Sequence, residues 1–133
     1  MSIVLKLLEE IAQEPGKNAK IALIKKALSN ETFGRTLHAA LNPFNKPYNI
    51  KQTPVIAKHD GTMSLDDFYD RLCYFQDRTY TGNDARDVLE TYFKSLSKED
   101  AEVARRVIKQ DLRAGFSESS VNKAKAGYIP VYP

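Results

Sequence analysis

The chain contains one cysteine, Cys73, and two histidines among 133 residues. A lone thiol closes no intrachain disulfide, and so few soft ligands exclude a multi-cysteine zinc site. Long apolar runs are missing too, since nothing approaches the ~18–20 uninterrupted residues of a membrane span. The apolar start, Ile3 to Leu8, is broken by Lys6 and followed at once by Glu9 and Glu10, so it holds no signal-peptide core. These absences lead us to expect a cytoplasmic protein in a reducing setting, with no membrane partner. Charge of one sign is also scarce: 20 Lys and Arg against 17 Asp and Glu leave a net charge of +3. That excludes a histone-like tail and permits a polyanion partner without requiring one. Neither G-x-x-x-x-G-K-[ST] nor G-x-G-x-x-G occurs, so phosphate-loop nucleotide binding has no support. Strand-type alternation is almost absent; Tyr48–Ala57 is the one candidate, and Pro54 interrupts it.

What is present is helical periodicity. Ile3, Leu7, Leu8 and Ile11 form an amphipathic stripe over 3–14 that stops at Pro15-Gly16. Similar stripes cover 18–29 (Ile21, Leu23, Ile24, Leu28) and 32–41 (Phe33, Leu37, Leu41). A loop of roughly 42–61, rich in Pro and Asn, then separates two helical blocks of one domain. Three S/T-x-x-D boxes open the helices of the second block: Ser64 with Asp67, Thr81 with Asp84, and Ser97 with Asp100. They predict helices over about 65–78, 82–96 and 98–112. Gly115 suits the C′ position of the last, and Ser117 caps a further helix of roughly 118–126 that ends at Gly127. Phe68, Phe75, Tyr92 and Phe93 recur at helical spacing and read as core. The fold class is therefore all-α, a single compact bundle of about six to seven short helices.

The caps also redistribute the charge. Asp66, Asp67, Asp84, Glu99, Asp100 and Glu118 fall in first turns, where they offset the helix dipole. The basic residues Arg78, Arg105, Arg106, Lys109, Arg113, Lys123 and Lys125 are left for a shared positive face. The competing reading is an ordinary solvated helix surface.

From Glu99 to Pro133 the residues begin to resemble a family. Asp111-Leu112-Arg113-Ala114-Gly115, followed by Ser117-Glu118-Ser119-Ser120-Val121, is similar to the leucine-arginine-x-glycine turn and short helix that close the N-terminal helical DNA-binding domain of ATP-dependent DNA ligases, bacteriophage type. Tyr80-Thr81-Gly82-Asn83, Thr62 to Asp67 and the opening helices add to the resemblance, which covers nearly the whole chain. It departs from the pattern at Asp111, where many relatives are basic or neutral. The resemblance implies a helical DNA-binding domain over 1–128, with 129–133 starting a linker toward an adenylylation domain. It implies sequence-independent binding of nicked double-stranded DNA through backbone and minor groove, and adenylylation and OB-fold domains as partners in the same chain. ATP and Mg²⁺ would serve the complete ligase in replication, repair and recombination, with no cofactor in this chain. The protein would be a monomer, in the host cytoplasm if phage-encoded. The alternative is a free-standing helical DNA- or protein-binding module descended from a ligase.

The implied contacts form two corners. At the first, Arg113, the Gly115 turn, Ser117, Ser119, Ser120 and Lys123 form a phosphate clamp at a helix N-terminus, with Lys109 and Arg106 nearby. At the second, Arg78, Thr81, Gly82 and Asn83 repeat the arrangement. A purely structural reading makes Thr81 and Ser117 N-caps and Gly115 a C′ glycine. Lys58-His59-Asp60-Gly61 spells the K-x-D-G that in ligases carries the adenylylated lysine. That lysine needs a strand-rich nucleotide-binding domain with acidic and basic partners, whereas helices follow here, so no catalytic residue and no metal site is assigned.

Overall fold

In a computed structural model, residues 2–42, 53–56 and 61–130 are described. The elements, in order, are α1 (Ile3–Gln13), α2 (Lys17–Ala27), α3 (Glu31–Leu41), α4 (Leu65–Arg71), α5 (Cys73–Gln76), α6 (Gly82–Ser95), α7 (Lys98–Ile108) and α8 (Glu118–Ala124). Among the described residues there is no strand. Counting α4 and α5 as one helix interrupted at Leu72 gives seven, so the fold is the all-α bundle expected. Of the Tyr48–Ala57 segment, 53–56 is irregular and the rest lies outside the described residues, as does most of the 42–61 loop.

Two of the three boxes cap their helices. Ser64 Oγ accepts from the Asp67 amide at 3.1 Å and Ser97 Oγ from the Asp100 amide at 3.2 Å. Thr81 stands at the N-cap of α6 but its side chain makes no cap bond. The reason lies in Gly82, whose φ of +56° turns the chain into the helix from a left-handed residue, away from ordinary cap geometry. Ser117 likewise precedes α8 without capping it; its Oγ meets Ser119 Oγ at 3.0 Å instead. Two caps not anticipated are Ser2, whose Oγ accepts from the Leu5 amide, and Asn30, whose Oδ1 accepts from the Phe33 amide at 2.9 Å. Each such cap contributes about 1 kcal/mol.

The packing makes one core from both blocks. α7 lies against α1, α3 and α4, and buries Ala101, Val103, Ala104 and Val107 almost completely. α1 also packs on α2, which in turn makes the most extensive helix contact among the described residues with α8. Phe68, Phe75 and Phe93 are buried as expected, and Tyr92 meets Phe68 and Phe75 edge-on at 6.3 and 6.2 Å. Burying side chains of this size stabilises the fold by roughly 1.5–3 kcal/mol each. Gly61, the last residue of the K-x-D-G tetrapeptide, has a packing reason to be glycine. A β-carbon there would lie 2.6 Å from the Ser97 amide nitrogen, and the next two amides, Thr62 and Met63, both donate to Ser95 O. Lys58, His59 and Asp60 lie outside the described residues.

The helix over 98–112 ends earlier than its periodicity implies. α7 stops at Ile108, and Gln110, not Gly115, takes the left-handed C′ position with φ +56°. The Asp111 amide donates to Arg106 O and the Gln110 amide to Val107 O, both at 3.0 Å, which satisfies two carbonyls of the last turn. Leu112 is still buried, at 6% exposure, so the apolar spacing that suggested a longer helix is met by a chain reversal. Ile129, set at the start of a linker by resemblance, is 1% exposed and held by Asn122, whose side chain donates to its carbonyl and accepts from its amide.

Candidate functional site

The segment after α7 alternates between core and solvent. Leu112 and Ala114 are buried, while Arg113 and Gly115 between and after them face outward. Three interactions set this geometry. The Asp111 carboxylate accepts from the Arg113 amide at 3.1 Å, which stabilises the left-handed φ of +56° at Arg113. Arg106 Nη1 donates to Leu112 O at 3.3 Å, and Lys20 Nζ donates to Ala114 O at 3.2 Å and to Ile11 O at 3.1 Å. Gly115 has φ +71°, and a β-carbon on it would lie 2.9 Å from Lys20 Nζ. Glycine suits this position because of the left-handed turn, while the lysine end can move aside.

This arrangement divides the basic residues into structural and free ones. Arg105 and Arg106 both pair with Glu102, the latter at 3.0 Å with a side chain only 15% exposed. Partial burial pulls the Glu102 carboxyl upward, but the hydrogen bonds from the two arginines outweigh it and hold the group below its ordinary value. Arg106 is thus a brace for the turn, with its guanidinium committed inside the protein. Lys109, the C-cap of α7, and Arg113 and Lys123 are exposed. None of the three has a carboxylate within ion-pairing distance among the described residues. Ser117 and Ser119 are exposed and Ser120 is half-buried. With only seven residues in α8, the dipole at its start is short, so attraction for an anion at this corner must come chiefly from the side chains.

Tertiary packing adds residues of α2, which carries Lys17, Lys20, Lys25 and Lys26 and no acid and packs against α8, the helix of Lys123. The signal was available as an eleven-residue helix with charges of one sign, but its neighbour was not.

At the second corner, Arg78 follows α5 with φ +64°, and Thr81, Gly82 and Asn83 are all exposed. Asp77 Oδ1 accepts from the Thr79 amide at 2.9 Å and from its hydroxyl at 2.6 Å, so an aspartate turn shapes this corner as well. Tyr80 is its one half-buried residue, with its ring centroid 6.0 Å from those of both Tyr74 and Phe75. The structure therefore groups Arg113, Gly115, Ser117, Ser119, Ser120 and Lys123 with α2, and keeps Arg78, Thr81, Gly82 and Asn83 on a different turn. None of the more extensive helix contacts joins α6 to α7 or α8.

The fold is thus an all-α domain in which an exposed, braced arginine turn lies beside a helix that carries four lysines and no acid. Comparison with known proteins gives the particular kinship. The chain is homologous to the DNA ligases of Enterobacteria phage T4 and Enterobacteria phage T6, 33% identical to each over 135 aligned residues that cover 98% of this chain. It spans about a quarter of the length of these relatives, 28% in each case. Two solved structures, named Pmar-Lig_PreS3 and Pmar-Lig_Pre, superpose with TM-scores of 0.89 and 0.86 at 25% and 24% identity. They cover 99% and 98% of this chain, and the chain covers 32% and 31% of theirs. No protein-family model matches. Among the described residues no helix is long and apolar enough to cross a membrane.

Proposed function

We propose that the chain binds double-stranded DNA through the sugar-phosphate backbone without reading sequence, as the N-terminal helical domain of an ATP-dependent DNA ligase. The observation that carries this reading is the Arg113 turn. A guanidinium with no carboxylate partner among the described residues is presented by a left-handed residue between two buried neighbours, next to the lysines of α2 and α8, in a chain homologous to ligases over nearly its whole length. A planar guanidinium held this way can fork onto a phosphate or enter a minor groove, and the lysines add point charges along the backbone. Arg78, Thr81, Gly82 and Asn83 would touch the duplex at a second place. In the complete enzyme this domain holds the duplex beside the nick, while the adenylylation and OB-fold domains use ATP and Mg²⁺ to seal it.

Electrophoretic shift assays with nicked, intact and single-stranded DNA test the reading. Binding to both duplexes is expected, insensitive to sequence, with log K falling by roughly 0.9 per phosphate neutralised for each decade of salt. Equal affinity of wild type and Arg113→Ala for duplex at low salt would overturn the assignment of this corner.

A further inference from the structure

We infer that Lys20 of α2 is a positioning residue for the Arg113 contact: without touching DNA, its ammonium holds the far side of the Arg113–Gly115 turn, so that the guanidinium meets the backbone already in place. The inference rests on the duplex-binding reading above and extends it to a residue outside the leucine-arginine-x-glycine motif.

Two peptide planes enclose Arg113 and Ala114, and a cation fixes each. The plane before Arg113 is held at both ends: Asp111 Oδ1 accepts from the Arg113 amide at 3.1 Å, and Arg106 Nη1 donates to Leu112 O at 3.3 Å. The plane after Ala114 leads into Gly115, the residue of the turn with the greatest backbone freedom, and its carbonyl, Ala114 O, accepts from Lys20 Nζ at 3.2 Å. Lys20 therefore supplies an anchor on the side where the chain itself is softest. The same ammonium donates to Ile11 O at 3.1 Å, in the last turn of α1, which has no basic residue of its own there. That carbonyl lies at the negative end of the helix dipole, where a cation is favoured. One half-buried side chain thus ties the turn to α1 and α2, across 94 positions of sequence. Among the described residues no carboxylate lies within ion-pairing distance of Lys20, so its charge serves the two carbonyls. Two of its three donors are committed in this way, and the exposed, left-handed Arg113 is left as the group that meets phosphate. Loss of the ammonium would release the Ala114 carbonyl and let the turn sample orientations that binding must then restrict, a cost that appears as weaker affinity.

The test is a double-mutant cycle on the full chain with a duplex of fixed sequence, titrated from low to moderate salt at a temperature where circular dichroism shows each variant folded. Lys20→Met keeps the aliphatic stem and removes the ammonium. It is expected to weaken binding about 3- to 10-fold with the salt slope unchanged, because no phosphate contact is deleted. Lys20→Arg, which keeps a cationic donor, should retain most of the affinity. In an Arg113→Ala background Lys20→Met should cause no further loss, since the lysine acts through that guanidinium. Gly115→Ala is a second perturbation that leaves the lysine in the chain: its β-carbon would lie 2.9 Å from Nζ and displace it, and binding should again weaken at unchanged slope. A drop in slope of about 0.9 in Lys20→Met would overturn the inference by making the lysine a direct phosphate contact. Losses that multiply in the double variant would also overturn it, as would unchanged affinity in Lys20→Met or in Gly115→Ala while Arg113→Ala is impaired, whatever their melting temperatures. Each of these results leaves the duplex-binding reading intact. Failure of the wild-type chain to bind any duplex would remove the reading on which the inference stands.

Discussion

The two arginine turns, at Arg113 and at Arg78, are built on one local plan and supported very differently. In each, an aspartate carboxylate accepts an amide two residues on and an exposed arginine adopts a positive φ, +56° and +64° respectively. At Arg113 the neighbours Leu112 and Ala114 are 6% and 2% exposed, and Arg106 and Lys20 donate to their carbonyls. At Arg78 the neighbours Asp77 and Thr79 are exposed, and the turn is held by the Asp77, Arg78 and Tyr80 amides donating to the Cys73, Phe75 and Tyr74 carbonyls and by the half-buried Tyr80 ring. Only the first turn is flanked by buried side chains and braced by charged ones, so the arginine there is the better pre-positioned of the two. Ordering costs about 0.5–1.5 kcal/mol for a long side chain, so the same charge binds more weakly at the looser corner.

The largest expected effect is on stability. Leu112→Ala should cost about 2–5 kcal/mol by leaving a cavity under the Arg113 turn, read as a lowered urea midpoint, whereas Thr79→Ala should cost under about 1 kcal/mol. Comparable losses would show that the two turns are equally anchored. Next, Gly115→Ala should destabilise by about 1–3 kcal/mol, since it combines a φ of +71° with displacement of Lys20 Nζ from the Ile11 and Ala114 carbonyls. Gly82→Ala, with φ +56° and nothing within 4 Å, should carry only the backbone part, about 1 kcal/mol. A third measurement concerns binding. Arg113→Ala should weaken duplex affinity about tenfold, roughly 1.4 kcal/mol, and Arg78→Ala about two- to threefold; the reverse order would sink the idea that pre-positioning separates them. The smallest effect is on pH dependence. Because the Glu102 carboxyl sits below its ordinary value when folded, its contribution is complete above the unfolded value and is lost as pH falls through the folded one. Glu102→Gln should therefore flatten the acid side of the stability profile, by less than about 1 kcal/mol after solvent screening, while leaving the profile near neutrality almost parallel to wild type.

Much of the fold was legible because periodicity and capping are local. The stripe of Leu8 and Ile11 and the boxes at Ser64 and Ser97 place their helices through local patterns spanning three or four residues, although Ile3, read as part of that stripe, is 63% exposed and Val4 is buried in its stead. Reading failed where one local pattern fits two conformations. Leu112 continues the apolar spacing of α7, yet a reversal at Gln110 buries it equally well, and a threonine before Gly82 spells a cap whose geometry a left-handed glycine spoils. In the candidate site, Arg113, Gly115 and Lys123 stood out by resemblance, whereas the inward role of Arg106 depends on Glu102 and the Leu112 carbonyl lying on its side of the helix.

The sequence by itself determined an all-helical domain and its kinship, since both are written in spacing along the chain and in residue identity. Only the tertiary structure decided which cations are free. Whether a lysine or arginine faces a carboxylate, a carbonyl or open water depends on the helix packed beside it. The packing of α2 on α8, between residues nearly a hundred positions apart, sets Lys20 within reach of the Ala114 carbonyl beside the Arg113 turn.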